Sequence, residues 1–466
     1  MSDLKFGTSG LRGLVTDLAG HQAQRYARAF CRYLQENGRT GNGAVYLGRD
    51  YRPSSPGILA DCAAGIADAG LIPIDCGDVP TPALALHAQS RGGSAIMVTG
   101  SHIPADRNGL KFYSPAGEIS KTDEAGIISH LGEGAMLPAA VGLASEHNET
   151  RTRYFDRYAS LLPKAALSGL RIGIFEHSSV ARDDLARVLD HHGAETIQLG
   201  RSDEFVPVDT EAFDDAVFAP LKLWLHEFKL DAIVSADGDG DRPLLMDSGG
   251  DFVPGDVLGL VAARFLGANT VVTPVTSNSA IERTGYFTAT VRTRVGSPYV
   301  VEGLEAAGDG AVGFEANGGT FVGNGVTVSG RALAPLPTRD AILPLLSVFG
   351  LAARERVSVR DLVATLPVRP TAAGRLQDVS IPACRDFLAR LEKGGGFAAA
   401  VLAPHRVGHI SAIDGVRFTM VSGDVVHFRA SGNAPEMRCY VEAATPKAAQ
   451  ALLVWGLDVL RRELRA

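Results

Sequence analysis

Cysteine is scarce in this chain and poorly placed for cross-linking. Cys31, Cys62, Cys76, Cys384 and Cys439 are scattered, odd in number and without a CxxC pair. That excludes a disulfide framework and a thiolate zinc site, and it predicts small core residues instead. Long apolar runs are missing too. No segment is long enough to span a bilayer and the opening MSDLKFGTSG has no secretory hydrophobic region, so the expected location is cytoplasmic, with no membrane partner. Nor is there an excess of positive charge. Lys and Arg total 45 against 52 Asp and Glu, a net charge of −7, which removes the electrostatic basis for nucleic-acid binding. Any anionic substrate must then be met by locally clustered Arg and Lys. Low-complexity tracts and short-period repeats are also absent.

What is present is a soluble globular composition, 45% hydrophobic over 466 residues, enough for several cores rather than one. Short apolar runs ending in Gly/Asp/Ser loops alternate with helix-like stretches. AVYLG precedes Arg49-Asp50, SAIMV precedes Ser101, LRIGIF precedes Glu176, DAIVSA precedes Asp237 and TVVTPV precedes Thr276. This alternation predicts parallel α/β units with ligands at the strand C-termini. Ser54-Ser55-Pro56 reads as a capped helix start, and Ala181 to His192 as a helix stopped at Gly193. A first linker is expected over Glu133 to Glu149, a second boundary near Val253 to Asp256 and a third near Pro367 to Ala373. Beyond it, VRFTM, VVHFRA and MRCYVEA read as strands and Pro446 to Leu464 as an amphipathic helix, making the last domain α+β.

The chemistry concentrates in loops. Ser101 lies in Val98-Thr99-Gly100-Ser101-His102-Ile103-Pro104, followed by Asn108-Gly109-Leu110-Lys111, where a serine after a strand is placed as a phosphorylatable nucleophile. Taken alone the segment reads first as a turn, since Gly, Ser, Asn and Pro all serve turn geometry. Asp237-Gly238-Asp239-Gly240-Asp241-Arg242 sets three carboxylates at alternate positions after an apolar strand. Clustered like charges repel unless a cation offsets them, and hard oxygen ligands suit Mg²⁺ or Ca²⁺. An EF-hand is excluded, because Arg242 stands where Gly is needed and Ser248 where Glu is needed. Three carboxylates leave an octahedral shell incomplete, and a phosphorylated Ser101 would add an oxygen. Arg242 would help neutralise the phosphoryl group. His102 and Lys111 are proton-transfer candidates, with loop orientation and phosphate contact as equal alternatives.

Three further loops fit an anionic, hydroxyl-rich ligand. Gly7-Thr8-Ser9-Gly10-Leu11-Arg12-Gly13 is suited to lining an anionic site, and it lacks the spacing of a P-loop or dinucleotide fingerprint. Gly313-Phe314-Glu315-Ala316-Asn317-Gly318-Gly319 offers a carboxylate and an amide two residues apart, able to bond adjacent sugar hydroxyls or to form an ordinary surface turn. Arg429-Ala430-Ser431-Gly432-Asn433-Ala434-Pro435 is a compact oxyanion clamp, or a hairpin turn.

In this order the loops, together with GRDYRPSS at Gly48 to Ser55, VPTP at Val79 to Pro82 and the VGS of Val295 to Ser297, resemble the α-D-phosphohexomutase superfamily of phosphomannomutases and phosphoglucomutases over almost the whole chain. The resemblance implies a four-domain architecture around a central cleft. Three related mixed α/β domains are expected at 1–140 (phosphoserine), 150–254 (metal) and 255–368 (sugar), and a smaller α+β phosphate-clamp domain at 369–466. It implies that Ser101 carries the phosphoryl group and, with Asp237, Asp239 and Asp241, holds Mg²⁺. Arg12, Lys111 and Arg242 would line the transfer site, Glu315 and Asn317 would read sugar hydroxyls, and Arg429, Ser431, Gly432 and Asn433 would hold the resting phosphate.

The implied reaction is reversible transfer between the 1- and 6-positions of a hexose phosphate, primed by a hexose 1,6-bisphosphate, in a monomer or homodimer. Four positions depart from the family pattern: Ile103 stands where Asn is usual, Asn433-Ala434 where Thr-Glu is usual, Asn317 with Gly318-Gly319 where Ser then Gly-His is usual, and Ser297 where some members have His. Mannose and glucose phosphates are the expected substrates, because the sugar loop lacks the Glu-Gln-Ser-Gly-His form of phosphoglucosamine mutases. The alternatives are a phosphoglucosamine or other sugar mutase, and a non-catalytic sugar-phosphate sensor.

Overall fold

A computed structural model describes residues 4–7, 10–132, 142–211, 215–431 and 435–464. The chain separates into two compact units, one formed by Met1–Val272 with Gly296–Thr365 and the other by Thr273–Val295 with Leu366–Ala466. All five cysteines are free and buried, as their isolation in the sequence implies.

The first unit contains a sheet in the order Lys5–Phe6, Leu11–Leu14, Arg107–Ser114, Ser94–Val98, Ala44–Arg49, Ile72–Asp78 and Ala144–Ser145. Its middle strands Ser94–Val98, Ala44–Arg49 and Ile72–Asp78 run parallel. Ser94–Val98 is wholly buried, as expected of a strand covered on both faces. The expectation of parallel units needs one correction. Arg107–Ser114 returns antiparallel to Ser94–Val98, because the short segment between them cannot carry the dozen or more residues that a parallel crossover requires.

The same correction recurs twice. In a second sheet, ordered Glu195–Arg201, Arg171–His177, Ala232–Ala236 and Pro243–Asp247, the last strand is antiparallel to its predecessor. In a third, Thr320–Val322 is antiparallel to Ala311–Phe314, which is itself parallel to its neighbour Thr270–Pro274. The serine loop, the acidic loop and the Glu315 loop therefore occupy one topological position, each linking a parallel strand to an antiparallel one. A tight hairpin there fixes its side chains from both ends.

The second unit holds an antiparallel sheet ordered Thr371–Gln377, Glu436–Glu442, Val425–Ala430, Val416–Met420 and Val407–Ser411. The helices Ile381–Glu392 and Pro446–Leu464 contribute Phe387, Leu391, Leu452 and Leu460 to its core. Three α/β sheets followed by an antiparallel α+β sheet are the expected fold class. Among the described residues, no helix is long and apolar enough to cross a membrane.

Three local expectations are revised. The helix Ser55–Asp68 begins where expected, but Ser54 does not cap it. The Ser54 hydroxyl instead accepts from Asn108 Nδ2 at 2.9 Å, and the Ser55 hydroxyl donates to Asp50 at 2.6 Å. A buried polar network has taken the cap's oxygen. The strand after Leu170 does not stop before Glu176 but continues to His177, and Glu176 meets Arg201 from the adjacent strand. Of the expected first linker, 133–141 lie outside the described residues, and the helix His147–Ala159 begins inside the rest.

Candidate active site

Ser101 sits in the left-handed region at φ 54°, a conformation that a non-glycine residue keeps only when its surroundings hold it there. Arg52, fully buried, provides the hold. Its guanidinium donates to the carbonyls of Ser101 (2.9 Å), Ile103 (2.5 Å), Pro104 (2.7 Å) and Arg107 (3.0 Å), while its Nε pairs with Asp50 at 3.1 Å. Asp50 also accepts from the Thr99 hydroxyl, and Thr99 Oγ1 accepts the Ser101 N–H, both at 2.7 Å. The Phe205 ring covers the guanidinium at 3.9 Å. Gly100 completes the fit, since a Cβ there would lie 2.7 Å from the Arg52 guanidinium carbon.

The acidic loop folds around one of its own carboxylates. Asp237 Oδ1 accepts the backbone N–H groups of Asp241 and Arg242 at 3.1 Å, which leaves Oδ2 to accept the Ser101 hydroxyl at 2.6 Å. Asp239 Oδ2 accepts from Thr81 Oγ1 and from Lys111 Nζ, and Asp241 Oδ2 accepts from Lys111 Nζ at 2.6 Å. The three carboxylates are buried, with one oxygen from each lying within 4.8 Å of the others. Asp239 Oδ1 and Asp241 Oδ1 are buried without a hydrogen-bond partner among the described residues. Bare carboxylate oxygens cost free energy when desolvated, so two of them within a cluster of three buried aspartates fit a hard divalent cation.

The electrostatics agree. Burial, then repulsion from Asp239 and Asp241, pushes the Asp237 carboxyl well above the usual carboxylate range. Burial opposes ionisation of Asp241 as well, but Arg339, Lys111 and Arg242 outweigh it and hold that carboxyl well below the usual range. Burial likewise opposes the Lys111 ammonium, yet Asp239 and Asp241 keep its pKa above the ordinary value. Arg12 is pulled down to about 10 by burial and then by Arg242 and Arg339. His102, whose Nδ1 lies 3.2 Å from Ser101 Oγ, is driven down to about 2 by burial, Arg242 and Arg12, so its imidazole is neutral. Arg242 Nε lies 4.0 Å from Asp237 and 3.9 Å from Asp241.

Ser101, His102, Lys111, Arg12, the aspartate triad and Arg242 are thus brought to one place. Glu315 joins them through Arg339, which bonds Glu315 Oε2 at 2.7 Å and Asp241 Oδ2 at 2.8 Å. Asn317 stays within its own hairpin, its Oδ1 accepting from Gly319 N at 3.0 Å. In the second unit, Arg429 Nε donates to Asp414 at 2.7 Å and the Ser431 N–H donates to the Glu436 carbonyl at 3.0 Å. Gly432 and Asn433 lie outside the described residues. Arg52, Thr81 and Arg339 received no individual role from the sequence. GRDYRPSS and VPTP marked the first two, whereas Arg339 sits in no motif and reaches its partners only through the fold.

A serine held beside a buried carboxylate triad, with a glutamate loop supplied by a third α/β sheet, defines the phosphohexomutase class of multidomain α/β protein. Residues 3–136 match the family described as phosphoglucomutase/phosphomannomutase, alpha/beta/alpha domain I, and residues 254–369 match domain III of the same family. A phosphomannomutase of Sinorhizobium fredii is 45% identical over 99% of both chains, and one of Salmonella muenchen is 42% identical over 99% of this chain and 97% of its own. A phosphoglucosamine mutase of Maricaulis maris is 29% identical over 94% of each. In fold, the chain is similar to a phosphoglucomutase/phosphomannomutase family protein from Burkholderia thailandensis, with a TM-score of 0.77 at 20% identity over 98% of this chain and 97% of that one. The chain belongs to the phosphoglucomutase/phosphomannomutase family, within the α-D-phosphohexomutase superfamily of isomerases.

Proposed function

We propose that this chain moves a phosphoryl group reversibly between the 1- and 6-positions of a hexose phosphate, with mannose phosphate as its principal substrate and glucose phosphate as its second. The observation that carries the proposal is the 2.6 Å hydrogen bond from Ser101 Oγ to Asp237 within the buried triad. A phosphoryl group on Ser101 would then lie beside the carboxylates that hold the cation, to which Lys111 and Arg242 are themselves paired. The preference for mannose is supported by relatives named phosphomannomutase at 45% and 42% identity, against 29% for a phosphoglucosamine mutase.

Asp237, Asp239 and Asp241 would hold Mg²⁺, the phosphorylated serine would complete the site, and the ion would neutralise charge on the phosphoryl oxygens. The remaining work falls to side chains. In one half-reaction a sugar hydroxyl oxygen bonds to the phosphorus of phosphorylated Ser101 as the P–Oγ bond breaks; the hydroxyl gives up its proton and Oγ gains one. In the other, Ser101 Oγ bonds to the phosphorus of the second phosphate of the resulting bisphosphate as the bond from that phosphorus to the sugar oxygen breaks; Oγ gives up its proton and the sugar oxygen gains one. A hexose 1,6-bisphosphate would prime the serine.

Lys111 is held as an ammonium and serves as a charge contact for the phosphoryl group rather than as a base. His102 Nδ1 lies 3.2 Å from Oγ, and its neutral, weakly basic imidazole orients the serine hydroxyl rather than taking its proton. Arg12 and Arg242 add positive charge that strengthens as negative charge spreads over the transferring group. Glu315 and Asn317 orient the sugar hydroxyls, and the loop from Arg429 through Ser431, Gly432 and Asn433 holds the phosphate not being transferred.

The test is turnover of mannose, glucose and glucosamine 1-phosphates with Mg²⁺ and a trace of hexose 1,6-bisphosphate, with Ser101→Ala in parallel. Turnover of the first two that disappears in the variant supports the reading. Turnover confined to glucosamine phosphate, or surviving the substitution, contradicts it.

A further inference from the structure

Arg339 is 3% exposed, and its stem lies against Gly319 of the Glu315 hairpin. Its Nε and Nη2 donate to Asp241 Oδ2 at 3.0 and 2.8 Å, and its Nη1 donates to Glu315 Oε2 at 2.7 Å and to the hydroxyl of Ser297. Ser297 Oγ in turn donates to Glu315 Oε2 at 3.3 Å. One rigid fork therefore spans a carboxylate of the triad and a carboxylate of the neighbouring hairpin, a task that a lysine ammonium on its flexible stem cannot reproduce. The surroundings are cut to admit it. A Cβ on Gly319 would lie 2.6 Å from both Cγ and Cδ of Arg339, so the arginine stem fills the space a side chain there would need.

We infer that Arg339 is a positioning residue that sets the sugar-reading carboxylate of Glu315 while tempering the charge of the cation-binding triad through Asp241. The inference rests on the mutase reading for the identity of the sugar, and on the triad alone for the cation. Its two effects have opposite signs. Pinning Oε2 leaves Glu315 in one orientation toward a hydroxyl donor, so loss of Arg339 weakens sugar binding. A guanidinium paired with Asp241 competes electrostatically with a divalent cation, so its loss strengthens cation binding. A residue that merely stabilised the fold would weaken both.

The experiment uses the full chain and Arg339→Gln, Arg339→Lys and Gly319→Ala, with Mg²⁺ affinity from calorimetric titration and steady-state kinetics on mannose 1-phosphate. Arg339→Gln is expected to bind Mg²⁺ several-fold more tightly and to raise KM by about tenfold or more, with a smaller change in kcat. Arg339→Lys keeps the charge, so Mg²⁺ affinity stays near that of the wild type while KM rises. Gly319→Ala displaces the stem and raises KM without touching either carboxylate, which keeps the test decisive should Arg339→Gln fail to fold. Unchanged KM in the variants of an active wild type, or Mg²⁺ affinity that weakens together with sugar binding, would overturn the inference. Wild-type protein that binds Mg²⁺ but turns over no hexose phosphate would sink the mutase reading instead, and the Mg²⁺ comparison would then decide the role of Arg339.

Discussion

Ser101 donates its hydroxyl hydrogen to Asp237 Oδ2 at 2.6 Å, although the two residues close hairpins in different sheets. Neither loop alone is a site. Ser101 is held by Arg52 from within its own sheet, Asp237 is shaped by the backbone of its own loop, and Lys111 and Arg339 tie the remaining carboxylates down. The contact depends on both sheets keeping their loops within a fraction of an ångström.

Arg52 is therefore expected to affect rate and stability together. Arg52→Met leaves Asp50 buried without its cation and frees four carbonyls, a loss of about 3–5 kcal/mol in unfolding free energy. Arg52→Lys retains the charge but not the fork, and its kcat should fall by roughly a hundredfold as the serine drifts. Urea denaturation and initial rates check the two. A lysine variant with wild-type kcat would contradict the assignment.

Gly238 separates the acidic loop from the serine loop. A Cβ there would lie 2.9 Å from the Ser101 carbonyl oxygen and 3.1 Å from the Phe205 ring. Gly238→Ala should lower kcat by about tenfold or more while costing only about 1–3 kcal/mol in stability, since the shift needed is local. Kinetics alongside a thermal melt separate the two effects, and an unchanged kcat would count against the contact.

The triad should make stability depend on divalent cations. Mg²⁺ relieves repulsion among buried carboxylates only in the folded chain, so added Mg²⁺ should raise Tm saturably, and chelation with EDTA should abolish turnover. Asp239→Asn should lose most of the Mg²⁺-dependent rise. A rise of equal size in that variant would place the cation elsewhere.

Acid should destabilise the second unit through His427. Its Nε2 donates to the Asp414 carbonyl at 2.6 Å, and burial pulls it down to about 4 despite that hydrogen bond. The unfolded chain takes up this proton near the ordinary value of about 6.5, before the folded chain does. The contribution is therefore fully present above about pH 6.5, is lost progressively as pH falls toward 4, and amounts to about 3 kcal/mol at most. His427→Gln, which can keep the donation to Asp414, should flatten the pH dependence of unfolding in that window. An identical slope in the variant would exclude His427 as its source.

The loops were legible in the sequence because each is built from residues whose chemistry is local: a serine between Gly and Pro, three aspartates spaced by glycine, and a glutamate beside glycines. The strands before them were legible because wholly buried parallel strands are continuous apolar runs. What could not be read was tertiary. Ser54 carries a sound cap signature, yet its hydroxyl serves Asn108, fifty-four residues away. Arg339 carries no local signature, because its partners Asp241, Ser297 and Glu315 come from other segments. Gly319 and Ser297 registered as departures from the family pattern, and the fold explains both by the arginine they accommodate. The antiparallel return of each sheet was hidden as well, since it depends on loop length rather than on strand composition.

The most direct measurement is the fate of phosphate on the enzyme. Incubating the full chain with Mg²⁺ and labelled mannose 1,6-bisphosphate, then mapping the label by peptide mass spectrometry, should place it on Ser101, and unlabelled mannose 1-phosphate should discharge it. Label on another residue, or steady turnover with Ser101 never phosphorylated, would contradict the account.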